Sequence, residues 1–314
     1  MGFFLIISCT ITTTLLLLTS TMPSTAFTQP ITSASPKSIL TINSAAMIGR
    51  VDFAYLRDNC ATTNDTKISE VEPNNNSIAT IRDLIFELGA ITGMICTTFM
   101  SVPHDFNRTD DESRPSPNDD PFWTEPSPQK EELSRQLGEL FLHLFRISAS
   151  CHLDLCTCVL KKIELNGQKY PVELCKGKAG KYTDYSEHTG ITTTEGQCTI
   201  NTPTKASSND MEDTTTVEGI TILIRNFADE RLWHRHHCPR NIALAMMGEV
   251  GELAEIFQWK KDEGELDMKM TEKELDKVGQ EVADVTIYLL RLADVCHVQL
   301  GDEARKLIEA CEED

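Results

Sequence analysis

The chain has 314 residues, with 48 acidic against 29 basic side chains and a formal net charge of −19. That length permits two domains of ordinary size, but so negative a chain repels a polyphosphate backbone, and it holds no Lys/Arg run or aromatic-basic interleaving to offset this. Nucleic-acid polymers are therefore set aside as partners; a small phosphate compound is not, because a divalent cation held by carboxylates inverts the local charge.

Residues 1–51 contain no Asp or Glu, against the trend of the chain. Phe3 to Leu18 is apolar, broken by threonines and short for a membrane span, and small residues follow it, the pattern of a signal peptide. The next stretch is hydroxyl-rich, with Lys37 and Arg50 as its only charges, as in a transit peptide. With Ala26-Phe27 at the junction, the pair resembles the bipartite presequences of algae with secondary plastids. The expectation is a plastid protein, free of membrane after processing, with secretion as the alternative. Residues 52–77 then read as a polar linker.

Eleven cysteines form no CxxC pair, and several fall at apolar helix positions, where a free thiol packs as a small hydrophobe. This favours a reducing compartment over a disulfide framework. The sequons at Asn64, Asn75 and Asn107 matter only in the secretory alternative.

The chain repeats itself. GELFLHLFRISASCHLDL, from Gly138, aligns without gaps to ADVTIYLLRLADVCHVQL, from Ala283, pairing Leu144 with Leu289, Arg146 with Arg291 and Cys151-His152 with Cys296-His297. Upstream, ELGAITGMICTTF resembles MGEVGELAEIFQW more loosely, pairing Gly89 with Gly248. The expected organisation is copy one over 78–186, a Thr/Ser linker over 187–216 and copy two over 217–314. Apolar residues recur at three and four spacing in both copies, as in Ile242, Ala245, Val250, Leu253 and Phe257, and neither shows strand alternation. The predicted fold is all-α, an antiparallel helical bundle in two tandem copies.

Within GEVGELAEIFQWK, Glu249, Glu252 and Glu255 stand three apart on one face or nearly so, and Glu281 and Asp284 repeat the spacing on the next helix. A lone pair of this kind is ordinarily a solvated acidic face. Here Val250, Leu253, Val282 and Val285 flank both pairs, so two acidic pairs on antiparallel neighbours form a plausible cage for a hard divalent cation.

These residues carry a resemblance. FADERLWHRHHCPRNIALAMMGEVGELAEIFQWK followed by EVADVTIYLLRLADVC looks like the all-α nucleoside triphosphate pyrophosphatases of the MazG superfamily, most closely the dCTP pyrophosphatase branch. The resemblance covers nearly all of copy two, and the tail of copy one, Lys161 to Tyr185, resembles the segment after the last core helix of that branch. It implies that Glu249, Glu252, Glu281 and Asp284 bind Mg²⁺, with Mn²⁺ as the alternative ion. One of these carboxylates, or Glu255, orients or deprotonates the attacking water, with Glu252 and Glu255 the candidates. Trp233, His237, Asn241, Trp259, Lys260 and Tyr288 are the implied substrate contacts, with Lys261 a second candidate for phosphate. The implied reaction converts dCTP, or a modified pyrimidine deoxynucleotide, to the monophosphate and pyrophosphate. The alternatives are dUTP or another nucleotide as substrate, or a catalytically weak nucleotide-binding or oligomerising homologue.

Copy one departs from the pattern. In the loose alignment Ala90 and Gly93 stand at the positions of Glu249 and Glu252, and Gln136 replaces Glu281, so only Glu139 matches Asp284. Copy one is expected to bind no metal, to complete the bundle within a homo-oligomer or as an intramolecular pseudo-dimer that assembles further, and to lend Lys162, Asn166 or Tyr170 to the site of copy two.

Overall fold

Every regular element is a helix among the residues that the computed structural model describes, 50–60, 80–100, 126–178, 215–260 and 270–312. The presequence up to residue 49, the sequons, Lys261, Cys198 and most of both linkers lie outside the described residues.

The first helix, α1 (Phe53–Asn59), corrects the expected boundaries. It lies where a polar linker was expected, yet Val51, Phe53, Leu56 and Cys60 are buried, so the core begins near residue 51. The ring of Phe53 meets Phe141 edge-on at 5.6 Å. The run VDFAYLRDNC carries this signal at three and four spacing, but it is too short to stand out beside the polar residues after it.

Four long helices form the bundle: α2 (Ile81–Met100), α3 (Pro128–Ser150), α7 (Pro239–Phe257) and α8 (Glu272–Val295). Helix α7 pairs most extensively with α8, and α2 with α3; α2 also packs across α7, and α3 against α8. Local chemistry fixes the ends. Thr271 and Glu274 form a capping box at the start of α8, and Ser127 caps α3, whose first position is Pro128. Both α3 and α8 end on a histidine in the left-handed region, His152 at φ 55° and His297 at φ 53°. The next backbone N–H then closes back on the helix, Leu153 to Ser148 and Val298 to Ala293, each at 2.8 Å.

The remaining helices cross over. Helix α4 (Leu155–Lys169), which follows α3, packs on α8, while α9 (Leu300–Glu312), which follows α8, packs on α3. Gly138 permits the second contact: a Cβ there would stand 3.0 Å from Leu307 Cδ1 and 3.3 Å from the Glu303 backbone. After the one-turn α5 (Val172–Cys175), helix α6 (Val217–Glu230) lies against α8 and α4, as α1 lies against α3 and α9. The chain segments entering α1 and α6 meet in an antiparallel bridge between Asp52 and Thr216, where Val217 N–H donates to the Val51 carbonyl at 2.9 Å.

Burial also resets the alignment of α2 with α7. All seven buried positions of α7, from Pro239 to Phe257, have a buried counterpart in α2 158 residues earlier. The looser sequence alignment was therefore one residue out. The counterparts of Glu249 and Glu252 are Ile91 and Met94, not Ala90 and Gly93, and Ile91 is the one additional buried position of α2. Glycine pairing misled the alignment, because neither Gly89 nor Gly248 has a neighbour within 4 Å of a built Cβ and neither constrains the packing.

Candidate active site

A cavity of about 540 Å³ opens between α4, α6, α7 and α8. One end is acidic. Glu249 from α7 and Glu281 and Asp284 from α8 each place a carboxylate oxygen within 4.8 Å of the others. Glu252, one turn from Glu249, lines the same cavity outside that trio.

Charges this close and half buried oppose one another. Burial first, then Asp284, Glu252 and Glu281, push the Glu249 carboxyl up to about 7. Burial likewise raises Glu281 and Asp284, against the opposing influence of Lys162. The donor set suits a hard cation, which would neutralise the repulsion that the protein alone relieves only in part.

That partial relief comes from α4. Lys162 Nζ lies 2.5 Å from Asp284 Oδ2, both largely buried, and Asn166 also hydrogen-bonds the Asp284 carboxylate. Lys169 and Tyr170 complete this wall. The three residues expected from copy one, Lys162, Asn166 and Tyr170, thus face the carboxylates of α7 and α8 across a single cavity.

The other end is aromatic. Trp233 sits on a turn whose preceding residue, Leu232, has φ 54°, a strained conformation for a side chain of this size. Its indole N–H donates to the Lys178 carbonyl at 2.7 Å, and its ring packs edge-on against Tyr170 at 5.4 Å and Phe227 at 5.9 Å. Arg231 ties the same pieces together, donating from Nε to the Tyr170 carbonyl at 2.8 Å while its guanidinium covers Phe227 at 3.5 Å. His237 lies 6.1 Å from Trp233, and Tyr288 lines the cavity between the aromatic and acidic ends. Burial, then Glu249, raises the Tyr288 hydroxyl above its ordinary range.

Four expected site residues are not brought here. Successive steps of three residues turn a helix by about 60° each, so Glu255 drifts off the face shared by Glu249 and Glu252 and is exposed. Trp259 lies past the end of α7 and is 87% exposed. Lys260 Nζ bonds Glu274 at 2.7 Å, and Asn241 closes its own turn by donating to the His236 carbonyl at 3.0 Å. Sequence reasoning missed Phe227, Lys169 and Arg291. Phe227 opens the FADER stretch and was available from it; nothing in the spacing of Arg291 says that it reaches His237.

Compared with known proteins, 85 residues, 27% of this chain, match half of the dCTP pyrophosphatase 1 of Rattus norvegicus at 49% identity. Over those residues the chain is similar to dCTP pyrophosphatases. The dCTP pyrophosphatase 1 of Mus musculus and that of Homo sapiens match over 85 residues at 49% and 47% identity, again over half their length. The chain thus spans about half the length of the curated relatives it matches. No family model matches it, and no solved structure does.

Proposed function

We propose that the protein is a Mg²⁺-dependent nucleoside triphosphate pyrophosphohydrolase acting on dCTP or a modified pyrimidine deoxynucleotide. The observation that carries this is one cavity with carboxylates for a cation at one end and an aromatic box for a base at the other. The names of the matched relatives support the choice of nucleotide.

Glu249, Glu281 and Asp284, with Glu252 beside them, would hold the ion, which when bound supplies Lewis-acid polarisation and charge neutralisation at the phosphates. Glu252 is the carboxylate we assign to the attacking water. It takes the proton as the water oxygen bonds to the α-phosphorus, and the bond to the bridging oxygen breaks to release pyrophosphate. Lys169 meets phosphate charge from the α4 side. Trp233, Phe227 and Tyr170 offer faces and edges to a planar base.

We also read the protein as two copies of one helical unit. The matched burial of α2 and α7 and the reciprocal packing of α4 and α9 support that reading. Exposed Phe86 and Leu244 on the adjoining α2 and α7 support further self-association, which light scattering checks. The acid-free residues 1–51 support delivery to a plastid, which a fluorescent fusion of that segment checks.

The deciding experiment is a pyrophosphate-release assay on a deoxynucleotide panel with and without Mg²⁺, alongside Glu252→Gln. Metal-dependent release favouring dCTP, lost in the variant with helicity intact, supports the proposal. Binding without release favours the regulatory alternative.

A further inference from the structure

At the aromatic end a buried basic residue is spent on a histidine. Arg291, 4% exposed, donates from Nε to His237 Nδ1 at 3.1 Å. The same guanidinium is paired through Nη1 with Asp294, which Arg225 also engages, Nε to Oδ2 at 3.2 Å. Asp294 thus anchors Arg291 from behind, and both Arg291 and His237 line the cavity.

The chemistry of this contact has one solution. A guanidinium does not deprotonate in a protein and has no acceptor, so the imidazole nitrogen that it touches must be bare. The imidazole proton is then on Nε2. A second proton at Nδ1 is opposed by burial and by the Arg291 charge, which bring His237 down to about 3.

We propose that Arg291 is a positioning residue for base recognition: it fixes His237 as the Nε2–H tautomer, so that His237 is a hydrogen-bond donor selecting a base by an acceptor atom on its edge. This rests on the nucleotide reading of the cavity. The substrate class it names is a pyrimidine whose ring nitrogen or carbonyl oxygen meets that donor; a base presenting N–H there is disfavoured, since two donors face each other. The matching arginine of the other half provides a contrast. Arg146 Nε donates to a backbone carbonyl, that of Cys60, at 3.3 Å, and its Nη1 lies 3.5 Å from Nε2 of His143, so its contact is with the other ring nitrogen of a histidine that does not line the cavity.

The test uses the full chain in two arms. Long-range proton–nitrogen correlation on ¹⁵N-histidine protein, with His237 assigned by its loss in His237→Gln, reports the tautomer. Pyrophosphate release from dCTP, dUTP and dTTP reports KM and kcat. We expect the Nε2–H pattern in the wild type and its loss in Arg291→Met. In that variant KM for the preferred nucleotide should rise about tenfold with kcat within about twofold, the size of one misdirected hydrogen bond, and the preference among bases should flatten. Arg291→Lys should fall between, and it serves in place of Arg291→Met should the latter fail to fold. An Nδ1–H pattern in the wild type, or unchanged KM and preference in the folded variant, overturns the proposal. Absence of pyrophosphate from every nucleotide would sink the hydrolase reading instead, and the imidazole pattern would still decide the role of Arg291.

Discussion

The two ends of the bundle pair the same kinds of helix and do opposite things with them. At one end α7, α8 and α4 bring Glu249, Glu252, Glu281 and Asp284 to a cavity with Lys162 and Asn166. At the other, the counterparts on α2 and α3 are Ile91, Met94, Gln136 and Glu139, and the counterparts of Lys162 and Asn166 on α9 are Leu307 and Cys311. Arg135 takes Glu139 as an ion-pair partner, and Leu307 packs against Gly138. At that end three of the four carboxylate positions and the positions of Lys162 and Asn166 carry uncharged residues, although each end draws on both halves of the chain. The same helix pairing forms without that charged set, so its presence at one end points to chemistry.

The largest effect expected from breaking this contrast is at the trio. Asp284→Asn or Glu249→Gln should lower turnover by about 10³-fold or more while circular dichroism stays helical, because the site loses both a ligand and its charge. Next is the contribution from α4: Lys162→Met should lower turnover by roughly tenfold to a hundredfold, by removing the cation paired with Asp284 and misplacing its carboxylate. Pyrophosphate assays on both variants check these outcomes.

A transplant sharpens the comparison from the opposite side. Ile91→Glu with Met94→Glu places carboxylates on α2, yet should create no second site, because Leu307 and Cys311 stand at the positions of Lys162 and Asn166. Burying Glu at the Ile91 position should cost about 2–4 kcal/mol, visible as a lower urea midpoint.

The ends also differ in acid. Burial brings His143, the counterpart of Tyr288, down to about 4, while an unfolded histidine titrates near 6.5. The unfolded chain therefore binds protons first as pH falls below about 6.5, and stability is lost progressively toward pH 4. The His143→Gln variant should show a shallower fall in urea midpoint between pH 7 and pH 5 than the wild type. The smallest effect is at Trp259, exposed beyond α7, where Trp259→Ala should leave kcat/KM within about twofold.

The helical class and the gathering of Glu249, Glu252, Glu281 and Asp284 at one cavity were legible in the sequence because they rest on spacing, 3.6-residue periodicity and carboxylates three apart; that Lys162 and Asn166 would line the same cavity came instead from the resemblance carried by Lys161 to Tyr185. What was not legible depends on three-dimensional register. The match of α2 to α7 was set by burial at Leu84, Leu88, Thr92, Ile95 and Phe99, and glycine identity pointed one residue away. Glu255 carried the same spacing as its neighbours and lost the face through helical drift. Trp259 and Lys260 belonged to the motif in sequence but follow the last turn of the helix that aims the others. The contact of Arg291 with His237 spans 54 positions, beyond any local pattern.

Counting nucleotides per chain tests the contrast most directly. Calorimetric titration of the full chain with a non-hydrolysable dCTP analogue in excess Mg²⁺ should give one site per chain, abolished in Asp284→Asn. Two sites per chain, or one that survives Asp284→Asn, would contradict the assignment of nucleotide chemistry to the α4, α7 and α8 end.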